Sequence, residues 1–253
     1  MPAGRESQSR FVSFSGMDGA GKSTQIALLQ SRLERTGTEV RIITFWDDVA
    51  RFTRFREATG HKLFKGDKGV GSPDTPINRR DKNVRSWPMT LVRLFLYTAD
   101  ALSLRKVVRK ALRSGTAFII CDRYAWDELA NLTLSNPAIR LYVRLITRLV
   151  PAPDVSYVLD ADPVLARARK PEYPVDFLCL CREAYLTLSK LTGRLTVIPP
   201  GSVHEVHGRI LQELSMEPLQ DRRPMTAPGG TESVLLGGRE TTSGVCTLPN
   251  PAG

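Results

Sequence analysis

Residues 14–24 read FSGMDGAGKST and lie between an apolar segment and a segment with helical periodicity. The pattern Gly-x-x-x-x-Gly-Lys-Ser begins at Gly16 and has the spacing of a phosphate-binding loop (P-loop). In such a loop, backbone N–H groups surround nucleotide phosphates at the start of a helix, where the helix dipole favours negative charge. The residues predicted to bind the nucleotide are Gly16, Met17, Asp18, Gly19, Ala20, Gly21, Lys22, Ser23 and Thr24.

Two side chains of this loop have specific predicted roles. We expect the ammonium of Lys22 to contact the β- and γ-phosphates of ATP, and the hydroxyl of Ser23 to bind Mg²⁺. ATP and Mg²⁺ are therefore the predicted cofactors. Because GTPases, ATP-driven motors and small-molecule kinases all use such loops, the remaining sequence has to separate these classes.

Apolar segments alternate with helical patterns from residue 11 to residue 214. The predicted strands are residues 11–14, 40–45, 117–121, 155–159 and 195–198, and the predicted helices are residues 23–36, 90–114, 139–150, 175–191 and 203–214. The strands are almost continuously apolar, which is typical of strands covered on both faces. This alternation predicts an α/β fold, with a five-stranded parallel sheet and helices on both faces.

A second chemical feature is FIICDRY, in which Asp122 and Arg123 come at the end of the third predicted strand. The carboxyl ends of parallel strands form the sheet edge where ligands bind. We expect Asp122 to orient the magnesium shell and Arg123 to hold a second phosphate. A GTPase would carry Asp-x-x-Gly here and Asn-Lys-x-Asp further on, and a motor usually has a second carboxylate after the first. An arginine in that position favours a phosphorylated acceptor over water.

A third feature is the basic stretch RARK, which contains Arg167, Arg169 and Lys170. Cations that close over transferring phosphates neutralise the charge that develops on the phosphoryl oxygens. We therefore predict catalytic roles for Arg167 and Arg169. A solvated helix face is the alternative interpretation of this stretch.

The predicted domain covers residues 10–215. Within it, residues 47–88 form a long polar connection, and basic residues outnumber acidic ones there. Such a connection is either a solvated excursion or a basic flap over an anionic substrate. We predict that residues 1–9 are disordered, and that residues 216–253 form a disordered tail because they are rich in Pro, Gly, Ser and Thr.

The overall composition, with 42% hydrophobic and 25% charged residues, is that of an ordinary globular protein. The formal net charge of +10 indicates an anionic partner such as a nucleotide, a phosphorylated acceptor or nucleic acid. No apolar run approaches the ~20 residues of a membrane span, and the first residues lack the apolar core of a secretory signal. Because the four cysteines also fit a reducing compartment, we expect a cytoplasmic protein that does not insert into membranes.

The sequence resembles the thymidylate kinase family of nucleoside monophosphate kinases from residue 10 to about residue 200. The resemblance rests on FSGMDGAGKSTQ, LFLYTADA, FIICDRY and LDADPVLARARK followed by FLCLCREAYLTL. It implies phosphoryl transfer from ATP to dTMP with Mg²⁺, a five-stranded parallel sheet and often a homodimer. It also implies that Asp18 lies near the acceptor phosphate and the metal. By the same resemblance, Arg123 binds the acceptor phosphate, and Arg167 and Arg169 belong to a lid.

The sequence departs from the family where the base of the acceptor would bind. Tyr97 replaces the Phe that stacks on thymine, and Ala101 replaces the Arg that hydrogen-bonds to it. Glu128 and Asn131 replace a small polar residue and an aromatic one. From these changes we expect weak discrimination for thymine. The predicted substrate-binding residues are Asp47, Tyr97, Arg123 and Glu128.

Other functions stay open at this point. A P-loop kinase for another phosphorylated acceptor, or for polyphosphate, would suit the basic 47–88 segment. The net charge suggests a nucleic-acid-associated NTPase, although Arg123 stands where such an enzyme would have its second carboxylate, which argues against nucleic acid as a partner. A protein that keeps the fold and binds ATP without turnover is the last alternative.

Overall fold

The computed structural model describes residues 9–50 and 87–214. Apart from Ser9, the predicted disordered ends (1–9 and 216–253) lie outside the described residues. Residues 51–86, which make up most of the predicted flap, also lie outside them. The predictions for these segments, and the domain boundaries at 10 and 215, stay predictions.

Five strands form one sheet in which every neighbouring pair is parallel. They are β1 (Arg10–Ser15), β2 (Val40–Thr44), β3 (Phe118–Asp122), β4 (Val155–Leu159) and β5 (Thr196–Ile198). Their order across the sheet is β2-β3-β1-β4-β5. The central strand β1 places Phe14 in register with Asp122 of β3 and Tyr157 of β4. The predicted fold class is therefore confirmed, and the carboxyl ends of β1, β3 and β4 meet at one edge.

Helices connect these strands within the described ranges. They are α1 (Lys22–Arg35), α2 (Trp87–Arg113), α3 (Ala125–Leu129), α4 (Pro137–Leu149), α5 (Pro163–Arg169), α6 (Val175–Thr192) and α7 (Val203–Glu213). The five predicted helices are all present, with ends that differ by a few residues. The largest difference is at α2, which begins at Trp87 and so includes the last residues of the predicted 47–88 connection.

A π-helix at Phe45–Val49 follows β2, where the sequence predicted a strand ending at Phe45 and then a polar connection. The carboxylate of Asp48 accepts a hydrogen bond from the backbone N–H of Thr44 at 2.8 Å. The N–H of Ala50 donates to the carbonyl of Phe45 at 2.8 Å. These local hydrogen bonds stabilise the π-helix. The sequence analysis did not predict it, because it placed the end of the strand from apolar residues alone.

The core has two parts, one on each face of the sheet, because successive side chains of a strand point to opposite faces. On one face, Phe11, Ile119 and Val158 pack with buried residues of α2 and α4. On the other face, Val12, Phe14, Phe118, Ile120, Tyr157 and Leu159 pack with buried residues of α1 and α7. Coverage of both faces explains why the strand sequences are continuously apolar.

Candidate active site

The P-loop runs from β1 to α1 and packs tightly against β4 and α5. Gly16 has φ +137°, and a Cβ there would lie 2.7 Å from the carbonyl oxygen of Leu159. Gly19 has φ +80°, and a Cβ there would lie 2.3 Å from the carbonyl oxygen of Ala166. Both positions therefore require glycine, for space as well as for backbone conformation. These approaches fix the loop against the sheet edge and against α5.

The beginning of α1 is open to an anion. Gly21 is its N-cap, with φ +89° and no hydrogen bond from a capping side chain. A Cβ at Gly21 would meet no atom within 4 Å. Because the first N–H groups of a helix lack intrahelical partners, this end offers donors and a favourable dipole to a phosphate chain. The loop and the first turn of α1 thus fit the phosphates of a nucleotide.

Lys22 is 7% exposed and bends back over the loop. Its Nζ donates to the carbonyl oxygens of Gly16 at 2.8 Å and Met17 at 2.9 Å. Burial, helped by the nearby positive charge of Arg123, lowers the pKa of Lys22 to about 8. A bound phosphate would supply the close negative charge that favours the protonated form.

Arg123 follows β3 with φ 69°, the only positive φ at a non-glycine residue in the described part of the chain. Its N–H donates to the carbonyl of Phe14 at 2.9 Å. The left-handed conformation costs roughly 1–2 kcal/mol, and such strain is concentrated at functional sites. Its Nη2 donates to Oδ1 of Asp18 at 2.5 Å, and its Nη1 to Oδ1 of Asp127 at 2.9 Å. Burial disfavours the charge, but Asp127 and Asp18 together raise the pKa of Arg123 above its ordinary value.

Asp127 is a site residue that the sequence analysis did not identify. It lies in the five-residue helix α3, which was itself not predicted because one helical turn shows no periodicity. The side chain is buried and joins Asp18 and Arg123 in what we call the charged cluster. Its spacing of four residues from Arg123 is the available sequence signal, and it becomes informative only once α3 is known.

The basic residues of RARK lie at the end of α5, directly over the P-loop. α5 begins at Pro163, with the Asp162 side chain accepting hydrogen bonds from two first-turn N–H groups. Nη1 of Arg169 donates to the carbonyl of Gly19 at 3.2 Å, and Nζ of Lys170 lies 3.9 Å from Oδ1 of Asp18. Arg167 is half-buried on the same helix. The last turn of α5 thus brings positive charge to the phosphate loop.

A side-chain pair fixes the segment that carries α5. Nε and Nη2 of Arg182, on α6, donate to the two carboxylate oxygens of Asp160 at 2.6 and 2.7 Å. Asp160 follows β4, and its N–H donates to the carbonyl of Ile198 at 2.9 Å. Because bidentate pairs fix orientation as well as distance, the segment is attached at its base to the sheet.

A pocket of about 230 Å³ opens beside the charged cluster. Five of the other side chains along its boundary form what we call the mixed wall: Trp46, Thr90, Arg93, Asn131 and Phe177. The ring of Phe177 packs against Tyr173, with centroids 5.1 Å apart. The pocket therefore combines a charged region with aromatic and hydrogen-bonding groups, which is the combination that a phosphorylated heterocycle needs.

Several residues that the sequence analysis associated with the acceptor do not line this pocket. Glu128 and Ala101 are each 2% exposed and do not line this pocket. Tyr97 is half-buried, packs against the core and is likewise absent from the pocket boundary. Asp47 is exposed on the π-helix, while its neighbour Trp46 reaches the pocket. Of the sites where the sequence departs from the family pattern, Asn131 is the one that contributes to the mixed wall.

The two predicted metal ligands are oxygen donors. Ser23 is exposed in the first turn of α1, and Asp122 ends β3 beside Arg123. Burial raises the pKa of Asp122, while the positive charges of Lys22 and Arg123 act in the opposite direction. Mg²⁺ binds one or two protein oxygens and completes its shell with phosphates and water. A hydroxyl and a carboxylate therefore fit this ion.

Comparisons with known proteins agree with the geometry. A thymidylate kinase from Bifidobacterium longum subsp. infantis is 30% identical over 252 residues, covering 90% of this chain and 97% of its own. A thymidylate kinase from Deinococcus radiodurans is 31% identical over 172 residues, covering 64% and 70% of the two chains. This chain belongs to the thymidylate kinase family. The resemblance to this family of nucleoside monophosphate kinases, which was inferred from the sequence motifs, is confirmed.

The structural comparison supports the thymidylate kinase fold. The crystal structure of the thymidylate kinase from Ehrlichia chaffeensis aligns with a TM-score of 0.50 at 21% identity, covering 82% of this chain and 99% of that one. A scan against protein-family models finds no match.

Proposed function

We propose that this protein transfers the γ-phosphoryl group of ATP to dTMP and releases ADP and dTDP. The observation that carries the proposal is the convergence of two distant elements on the P-loop. Arg123 at the end of β3 pairs with Asp18, and Arg169 at the end of α5 bonds to Gly19. Positive groups from both elements therefore surround the loop that would hold the donor phosphates.

The donor side of the proposed reaction uses the P-loop and α1. The uncapped N–H groups at the start of α1 bind the phosphates, and Lys22 moves from the loop carbonyls to the β- and γ-phosphates. Mg²⁺, held by Ser23 and Asp122, would neutralise phosphate charge when bound. Phosphoryl transfer of this kind needs positioning and charge neutralisation more than covalent chemistry.

The acceptor side uses the pocket beside the charged cluster. Arg123 binds the phosphate of dTMP, since its guanidinium faces the pocket and remains cationic. Asp18 lies between Arg123 and Lys170, so it can release Arg123 to the incoming phosphate and keep its contact with Lys170. The mixed wall then contacts the nucleoside.

The last turn of α5 supplies the lid. Arg167 and Arg169 stabilise negative charge on the transferring group, and their effect is greatest in the transition state. Arg169 already contacts the loop carbonyl of Gly19, so a small rearrangement would bring it to the phosphates. The pair between Arg182 and Asp160 keeps the base of this lid in place.

The remaining proposals concern the location and the oligomeric state of the protein. No helix in the described ranges is long and apolar enough to cross a membrane. A cytoplasmic location and a homodimer stay predictions, the second by resemblance to the family. Nucleic acid has no role in the proposed reaction.

A coupled ADP-release assay tests the proposal. The substrates are dTMP, dUMP, dCMP, dGMP and polyphosphate, each with ATP, with and without Mg²⁺. We expect Mg²⁺-dependent ADP release that requires a monophosphate and is fastest with dTMP. ADP release without any acceptor, stimulated by DNA and steeply dependent on salt, would instead identify a nucleic-acid-associated NTPase.

A further inference from the structure

The carboxylate of Asp127 receives a hydrogen bond at each of its usual acceptor positions. Oδ1 accepts from Nη1 of Arg123 at 2.9 Å and from the hydroxyl of Tyr185 at 2.8 Å. Oδ2 accepts from Oγ of Ser15 at 2.6 Å and from the N–H of Tyr124 at 3.1 Å. A carboxylate has about four acceptor positions, so this buried group is fully satisfied and held from four directions.

Asp127 and Asp18 hold different edges of the Arg123 guanidinium. Asp127 is 4% exposed and binds Nη1, whereas Asp18 has a side chain that is 24% exposed and binds Nη2. An anion that enters the pocket can compete with the partly exposed carboxylate of Asp18. Asp127 also borders the pocket, but it is harder to displace because its other partners come from β1, α6 and the β3–α3 connection.

We propose that Asp127 is a positioning residue that fixes Arg123 so that its Nη2 edge can bind the acceptor phosphate. The proposal rests on the proposed function, because it needs an acceptor phosphate at Arg123. It gives the four-donor network a specific purpose. One edge of the guanidinium stays anchored while the other exchanges Asp18 for substrate.

Tyr185 is the second support in this arrangement. It lies on α6, and burial together with the Asp127 charge raises the pKa of its hydroxyl well above the ordinary value. The hydroxyl therefore stays protonated and donates over the whole neutral pH range. Tyr185 connects Asp127 to α6, the helix that also carries Arg182 at the base of the lid.

The test measures binding and turnover with matched variants. Asp127→Asn keeps the shape but removes the charge, so the anchor on Nη1 weakens. We expect the KM for dTMP to rise about tenfold or more, while the KM for ATP changes less than about twofold. Tyr185→Phe, which removes one donor only, should move the KM for dTMP in the same direction by less. Tyr157→Phe is the control, because it removes a buried tyrosine hydroxyl bonded to the Ile210 carbonyl, away from the pocket.

A double-mutant cycle separates positioning from general damage. In an Arg123→Ala background, Asp127→Asn should change the KM for dTMP little further, because the group it positions is gone. Equal additional losses in both backgrounds, or equal increases in the KM for ATP and dTMP, would overturn the proposal. If Asp127→Asn does not fold, an unchanged KM for dTMP in Tyr185→Phe would overturn it.

Failure of the proposed function has a different signature. Wild type would then phosphorylate no dTMP at all, whatever the variants do. Calorimetric binding of dTMP and of thymidine, which lacks the phosphate, still tests the positioning role. Asp127→Asn should weaken dTMP binding selectively, and equal weakening of both ligands would contradict it.

Discussion

The charged cluster and the mixed wall border the same pocket, but they are organised differently. Asp18, Arg123 and Asp127 are joined by ion pairs of 2.5 and 2.9 Å, and Arg123 has a left-handed backbone conformation. In the mixed wall, Trp46 is 40% exposed and Arg93 is half-buried. In the proposed function, the acceptor phosphate therefore meets a fixed ionic network, while the rest of the acceptor meets side chains that are partly exposed.

The largest expected effect is in the P-loop. Lys22→Ala should lower turnover by about a thousandfold, because the charge that contacts the β- and γ-phosphates is lost. The melting temperature should change little, since within the described ranges Lys22 donates its hydrogen bonds to loop carbonyls. Lys106→Ala, at an exposed position of α2, is the matched control. Turnover close to wild type in Lys22→Ala would remove the P-loop from the mechanism.

The lid should affect the chemical step more than ATP binding. Arg169→Ala should reduce kcat about a hundredfold with a small change in the KM for ATP, because its charge matters most in the transition state. Steady-state kinetics measures both parameters, and the control is Arg144→Ala, which replaces an exposed arginine on α4. A change limited to the KM for ATP would show that Arg169 contributes to ground-state binding alone.

Ala101→Arg tests the position where the family carries its base-recognising arginine. From the sequence, Ala101 was one reason to expect weak discrimination for thymine, so restoring the arginine would improve dTMP recognition if position 101 contacts the base. The structure indicates the opposite, because Ala101 is 2% exposed and packs in the core. A buried, overpacked charge should reduce the free energy of unfolding by about 3 kcal/mol. Chemical denaturation measures this, and a stable variant with improved kcat/KM for dTMP would mean that position 101 reaches the substrate.

Arg93 offers a donor in the mixed wall on the same helix. Arg93→Ala should lower kcat/KM for dTMP about tenfold, which corresponds to the loss of roughly one hydrogen bond. The KM for ATP should stay constant. Arg109→Ala, exposed further along α2, is the control. If dTMP and dCMP lose equally, Arg93 contacts a group that both share and does not select the base.

The smallest expected effect is a pH dependence. With its pKa lowered to about 8, Lys22 is protonated at neutral pH in the free enzyme and loses its proton as the pH rises. kcat/KM for ATP should therefore fall about threefold between about pH 7.5 and 8.5, where phosphates are fully ionised. Bound ATP favours the protonated amine of Lys22, so the decline of kcat should begin at a higher pH than the decline of kcat/KM. Identical profiles for both parameters would show that Lys22 does not control binding.

The sequence predicted the parts of the site that are local in the chain. The P-loop spacing, Arg123 after β3 and the basic end of α5 all depend on short contiguous patterns, and the structure brings them together. Asp127 escaped prediction because its role depends on partners from β1 and α6. Glu128 was expected in the pocket, but its neighbours in the fold bury it. The place of a residue in a sequence motif does not show whether its side chain faces the pocket or the core.

The most direct test of phosphoryl transfer is ³¹P NMR of ATP, Mg²⁺ and dTMP incubated with the protein. We expect the signals of dTDP and ADP to grow together, and the Lys22→Ala variant to produce neither at a comparable rate. Release of inorganic phosphate while dTMP stays unchanged would contradict it, and so would ATP that is bound but never consumed.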